Sequence, residues 1–232
     1  MKRLIAFLIV LSISCYGCVI VPDTLSVENR EGNFNLLPPD YACHHEIIVP
    51  SRIPSQARIG GLNASGFNLM VWNIQKANRA DWESDFVRLS KNKDILIFQE
   101  ALLTDGLRRL LDGGQYHWHL VTAFEYQRVK AGVLTASTIE PDFVCPLRAE
   151  EPLIRIPKTI LITRYSLSNT HRLLMVANIH LINFELGTSE YYDQVHRMTE
   201  ILADHQGPMI LSGDFNTWSD ERLAIIDAIA DR

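Results

Sequence analysis

From residue 67 onward, short apolar runs and alternating apolar and polar positions succeed one another, separated by Gly, Asn, Asp and Ser. FNLMVWNI (67–74), DILIFQE (94–100), YHWHLVTA (116–123) and GVLTAST (132–138) read as strands. KTILITRYSL (158–167) and HRLLMVANIHLINF (171–184) pair as a hairpin across Ser168-Asn169-Thr170, and GPMILSGDF (207–215) is a further strand. Helical spacing marks ADWESDFVRLSK (80–91), with Trp82, Phe86 and Leu89 on one face. It also marks LLTDGLRRLLD (102–112), SEYYDQVHRMTEILADH (189–205) and DERLAIIDAIAD (220–231). Strands and helices are mixed, and neighbouring strands often join by short turns. That order predicts a layered α/β architecture with mixed sheets rather than a purely parallel, doubly wound one.

Before residue 67 the periodicity lapses. Residues 22–66 are rich in Pro, Asn, Ser and Gly and read as an irregular extension, closed by the linker GGLNASG (60–66). Residues 1–21 differ again. Lys2 and Arg3 precede a run without charge from Leu4 to Val21, the pattern of a secretory leader. The run is also close to the roughly 20 residues that span a bilayer, so a retained anchor is the second reading. Cys15 and Cys18 each follow small residues and are imperfect candidates for lipidation. Export to the cell envelope or periplasm is the expectation, with the cytoplasm as second choice. Contact with the membrane would run through this leader. The domain proper, residues 67–232, is expected to be a monomer.

Composition narrows the classes. The chain has 232 residues, 47% hydrophobic and 21% charged, which suits one globular domain with an extension. A net charge of −5 argues against a broad cationic face for gripping long nucleic acid. Outside the leader two cysteines remain, Cys43 and Cys145. An oxidising compartment would let them form a disulfide; two separate buried thiols are the equal alternative.

The candidate chemistry lies at strand ends. LMVW is followed by Asn73, ILIFQ by Glu100, LMVANI by His180, and MILSG by Asp214 with Asn216. Each alone is ordinary; together they place polar groups where buried strands surface, which is where ligand crevices form. Glu100 and Asp214 are hard oxygen donors, and Asn73 and Asn216 add amide groups. That set suits Mg²⁺ or Mn²⁺ and suits zinc or copper poorly. Mg²⁺ fills the rest of its shell with water and phosphate oxygen, so a phosphate ester is the natural substrate class. His180 would donate to a phosphoryl oxygen as charge builds there.

VWNIQK (71–76), IFQE (97–100), NIHLINF (178–184) and GDFNTW (213–218), in that order, resemble the endonuclease/exonuclease/phosphatase superfamily. CPLRAEEPLIR (145–155) resembles an uncharacterised bacterial branch of it. The resemblance covers residue 67 to the end. It implies a four-layer α/β/β/α sandwich of two mixed sheets and a metal-dependent phosphoesterase. Glu100 would bind the divalent metal with Asn73 beside it. Asp214 would orient or activate the attacking water, Asn216 would hold a phosphate oxygen, and His180 would contact the scissile phosphate. The substrate is left open among nucleic acid, a phospholipid head group and a small phosphoester.

One departure bears on activity. The family pattern continues past GDFN to a further Asp and then a Ser-Asp-His triplet, and no such triplet occurs before Arg232. The expectation is therefore a sandwich lacking its closing C-terminal strands, with impaired turnover. The rival expectations are a non-catalytic envelope binding or scaffold protein and an inactive fragment. His196 and His205 lie on an amphipathic helix and read as surface groups, not as substitutes.

Overall fold

The computed structural model describes residues 19–38, 43 and 60–230. Most of the leader, with Cys15 and Cys18, and most of the extension lie outside the described residues. Among the described residues the strands are β1 (Val19–Ile20), β2 (Leu25–Asn29), β3 (Gly32–Leu37), β4 (Leu69–Asn73), β5 (Ile95–Leu102), β6 (His117–Tyr126), β7 (Val129–Ser137), β8 (Phe143–Ala149), β9 (Lys158–Ser166), β10 (Leu173–His180) and β11 (Met209–Asp214). The helices are α1 (Trp82–Ser90), α2 (Asp105–Gly113), α3 (Ser189–Ala203) and α4 (Asp220–Ala230).

Two mixed sheets result. The first runs β3-β2-β6-β7-β5-β4, with β1 pairing on β6, and the second runs β11-β10-β9-β8. Each sheet holds one parallel pair, β4 with β5 and β10 with β11, and its other pairings are antiparallel. A parallel pair needs a long crossover, and helices α1 and α3 supply it.

Period-two alternation builds the layers. Ile95 and Ile97 of β5 pack with Tyr165, Leu174 and Val176 of the opposite sheet. Leu96 and Phe98 face outward onto Phe86 of α1 and Leu107 and Leu111 of α2. In the second sheet Leu161 packs inward with Val27, Val121 and Val133. Ile160 and Ile162 turn outward to Tyr191, Val195, Met198 and Leu202 of α3. The order of layers is α/β/β/α, as the motifs imply.

The boundaries differ in four places. Part of the extension is regular: Leu25 and Val27 are fully buried, and β2 pairs along β6. Its alternation is too short and too full of Asn to stand out. The 60–66 segment is docked, with Leu62 buried and bridged to Leu167. Strand β8 lacks a clear strand pattern because Pro146 interrupts it; as the edge strand it needs no donor on its free side. Finally, α2 begins later than the pattern suggests, because β5 continues to Leu102 and Thr104 caps the helix by accepting from Leu107 N at 3.2 Å.

Cys43 and Cys145 are joined, their Cα atoms 5.8 Å apart. Among the described residues no helix is long and apolar enough to cross a membrane.

Candidate active site

The two parallel pairs explain why distant residues meet. In each pair both strands finish at the same rim, and the sheets face each other. Alternation then selects the side. Leu69 of β4 packs between the sheets and Met70 and Trp72 pack outward, so Asn73 turns inward. The same count from Val176 turns His180 inward, and from Ile210 it turns Asp214 inward. His180 and Asp214 are register partners across β10 and β11.

Glu100 arrives by another route. Phe98 pairs with Leu134 and Ala101 with Gly132, so Gln99 and Glu100 together oppose Val133 in a β-bulge. Glu100 has φ of 52°, a left-handed conformation that a non-glycine residue adopts at a cost. The extra residue restores Ala101 to the outer face and leaves Glu100 at the rim instead of under the helices.

The set is hydrogen-bonded across the sandwich. Asn73 Nδ2 donates to Asp214 Oδ2 at 3.0 Å and reaches Glu100 Oε1 at 3.4 Å. Its Oδ1 accepts from Gln75 N at 3.1 Å, so Asn73 turns its nitrogen, not its oxygen, to the carboxylates. His180 Nε2 lies 3.8 Å from Asp214 Oδ2. Asn216 stands beside Asp214, its backbone N donating to Oδ1 at 3.2 Å. Its side-chain amide donates to Leu181 O at 2.8 Å, tying the loop after β11 to the end of β10.

Several contributors have no role assigned from the sequence, although Lys76 and Glu151 lie within VWNIQK and CPLRAEEPLIR. Lys76 forms an ion pair with Glu100 Oε2. It sits in a short turn, Gln75–Ala77, whose residues have φ of 49°, 60° and 58°, and this left-handed path folds the lysine back over the strand end. Lys158, the first residue of β9, places Nζ 3.1 Å from His180 Nε2 and 3.8 Å from Glu151 Oε1. Glu151 is fully buried and accepts from Asn183 N at 2.6 Å. Arg222 of α4, also fully buried, clamps the loops behind the site. It donates to the carbonyls of Ile182 at 2.6 Å, Asn183 at 3.2 Å and Asn216 at 3.2 Å, and to Glu185 at 3.3 Å. Its guanidinium lies over the rings of Tyr191 and Trp218.

Charge states follow from these contacts. Burial, and then the Lys158 ammonium, push the His180 imidazole down to about 4, against the pull of Asp214 and Glu100. The ring is neutral at pH 7, and with Lys158 donating to Nε2 its proton sits on Nδ1. Burial alone would raise the Glu100 carboxyl. The Lys76 hydrogen bond and charge, with His180 and Asn73, outweigh it and hold Glu100 below the usual carboxylate range. His205 lies just before β11, at the end of that strand away from Asp214. His196 rests against the Tyr192 ring on α3.

Comparison with known proteins agrees with this architecture. The endonuclease/exonuclease/phosphatase family model matches residues 70–229. The UPF0294 protein of Vibrio campbellii is 42% identical over 156 residues, 67% of this chain and 55% of that protein. The chain thus spans about half the length of the curated relatives it matches. In fold it is similar to an endonuclease/exonuclease/phosphatase family protein from Leptotrichia buccalis C-1013-b, with TM-score 0.52 and 16% identity, covering 71% of this chain and 73% of that one. It is also similar to a conserved protein from Enterococcus faecalis V583, with TM-score 0.53 and 17% identity, covering 69% of each. Family match, layer order and motif positions coincide, and the chain belongs to the endonuclease/exonuclease/phosphatase family, a family of phosphoesterases and nucleases.

Proposed function

We propose that the chain carries the reaction centre of a divalent-metal-dependent phosphoesterase that cleaves phosphate esters with water. One observation carries the reading: residues from four strands and both sheets converge at one rim, joined by the 3.0 Å bond from Asn73 to Asp214. A purely structural polar cap would not place two carboxylates, a neutral imidazole and two ammonium groups together.

The donor set fits Mg²⁺ or Mn²⁺. Glu100 already attracts a cation, since the Lys76 ammonium rests on its Oε2. Two carboxylates with water and phosphate oxygens meet the needs of Mg²⁺. Glu100 would hold the ion, Asn73 would fix the carboxylate geometry, and Asp214 would orient the attacking water. The chemistry such an ion would supply, when held there, is polarisation of the phosphoryl oxygen and acidification of the attacking water. Lys158 lies where negative charge would develop on phosphorus-bound oxygen and would donate to it, while the neutral His180, accepting at Nε2, would hold that ammonium in place. The water oxygen bonds to phosphorus, the ester P–O bond breaks, and the alcohol departs with a proton.

The basic and then apolar start of the chain supports export, which would put this activity outside the cytoplasm. A leader fusion to alkaline phosphatase, active only when exported, tests that part.

For the centre itself, the purified chain is assayed with Mg²⁺ or Mn²⁺ on bis(p-nitrophenyl) phosphate, plasmid DNA and phospholipid vesicles. Hydrolysis of at least one is expected, with a metal-dependent rise in melting temperature that Glu100→Ala abolishes. Absence of both hydrolysis and a metal-dependent shift would sink the proposal. A shift without hydrolysis would favour a binding protein on the same fold.

A further inference from the structure

The strained conformation of Glu100 needs something to hold it, and the opposite sheet supplies it. Asn178 of β10 is fully buried between the sheets, two residues before His180. Its side-chain nitrogen donates to Phe98 O at 3.1 Å and Leu134 O at 2.9 Å, and is 3.2 Å from Thr135 Oγ1. Phe98 and Leu134 are the register pair at which the β5 bulge begins. The oxygen of Asn178 accepts from Gln99 Nε2 at 2.8 Å, and Gln99 O accepts from Ile74 N at 3.0 Å. One amide on the second sheet therefore meets both strands at the bulge. Through Gln99 it also reaches the backbone that follows Asn73.

We infer that Asn178, acting through Gln99, is a positioning residue: it locks the β5 bulge from across the sandwich and so aims Glu100 at the cation it binds. The inference rests on the metal-centre reading above. Asn178 touches neither ion nor substrate. Its three bonding groups answer the needs of the bulge, since carbonyls near the irregular pairing find a buried donor and Gln99 finds a buried acceptor. A hydrophobic residue of similar size would fill the space and leave the bulge free to relax toward regular pairing, which turns position 100 under the helices. Partners that orient a ligand typically change metal affinity by about 10- to 100-fold when lost.

The test is Mn²⁺ binding to the full chain by electron paramagnetic resonance, alongside thermal melting. Asn178→Ala is compared with the milder Asn178→Ser and with Thr163→Val, which removes a different buried polar group, a hydroxyl that donates to Val176 O at 3.4 Å. Both Asn178 variants are expected to melt cooperatively and to bind Mn²⁺ about 10- to 100-fold more weakly. Thr163→Val should lose stability but keep its Mn²⁺ affinity within about twofold, because it does not touch the bulge. Mn²⁺ affinity unchanged in a folded Asn178 variant would overturn the positioning role alone. Failure of both Asn178 variants to fold would overturn it too, marking Asn178 as a core residue. A wild-type chain that binds no Mn²⁺ would remove the metal centre itself, an outcome distinct from the other two.

Discussion

His180 and His119 are both buried, and at residue scale they set the response to acid. Burial, then the Lys158 charge, lowers His180 to about 4; burial, then His117, lowers His119 to about 3. In the unfolded chain both rings titrate near 6.5, so between that pH and their folded values the unfolded state holds more protons. Their contribution to stability is complete above pH 6.5 and declines as pH falls toward 3. Melting temperature should drop steadily across that window, and His119→Gln should flatten the slope; a profile unchanged by the substitution would contradict the account. Lys158 offers a second test. Lys158→Met removes a charge that lowers His180, so the imidazole should titrate above about 4 by NMR. If the amine also stabilises the transition state, the rate with Mn²⁺ should fall by roughly 10²- to 10³-fold, the usual scale for one such donor.

Elements bring these residues into range, and two contacts between elements are decisive. Gly213 has φ of 145°, and a Cβ there would lie 2.0 Å from Ile179 O, its register partner in β10. Gly213→Ala should push β10 and β11 apart and abolish metal binding together with much of the stability, as read by a melt with and without Mn²⁺. Arg222 links α4 to the loops after β10 and β11. Its pair with Glu185 is buried on both sides, so Arg222→Met leaves a carboxylate without its cation and should cost roughly 3–5 kcal/mol in urea unfolding. Much of this level was open to sequence reasoning. The strands end where the polar residues stand, and counting inward positions from Leu69 or Val176 places Asn73 and His180 between the sheets. Glu100 resists such a count, because a bulge shifts the parity and nothing local announces it. Lys158 and Arg222 were hidden for a different reason: their partners lie in separate elements, and their neighbours in sequence look like ordinary strand and helix. Short strand β2 was obscured because its stability comes from pairing with β6, far along the chain.

At the scale of the whole molecule the disulfide ties the layers together. Cys43 and Cys145 are 102 residues apart, so closing that loop restricts the unfolded chain strongly. Reduction should lower unfolding stability by roughly 2–5 kcal/mol, measured in urea with and without dithiothreitol. The bond has one more effect, which comes from how the sheets are laid down. The first sheet ends at Ser137 and the second begins at Phe143, so each is made from its own unbroken length of chain. A protease nick at Thr138 or Glu140 would sort Asn73 and Glu100 into one fragment and His180 and Asp214 into the other. The fragments would migrate as one band on a non-reducing gel and as two after thiol treatment. In an oxidising compartment the nicked molecule would stay a single particle, and the redox state of its surroundings would decide whether the two half-centres remain partners.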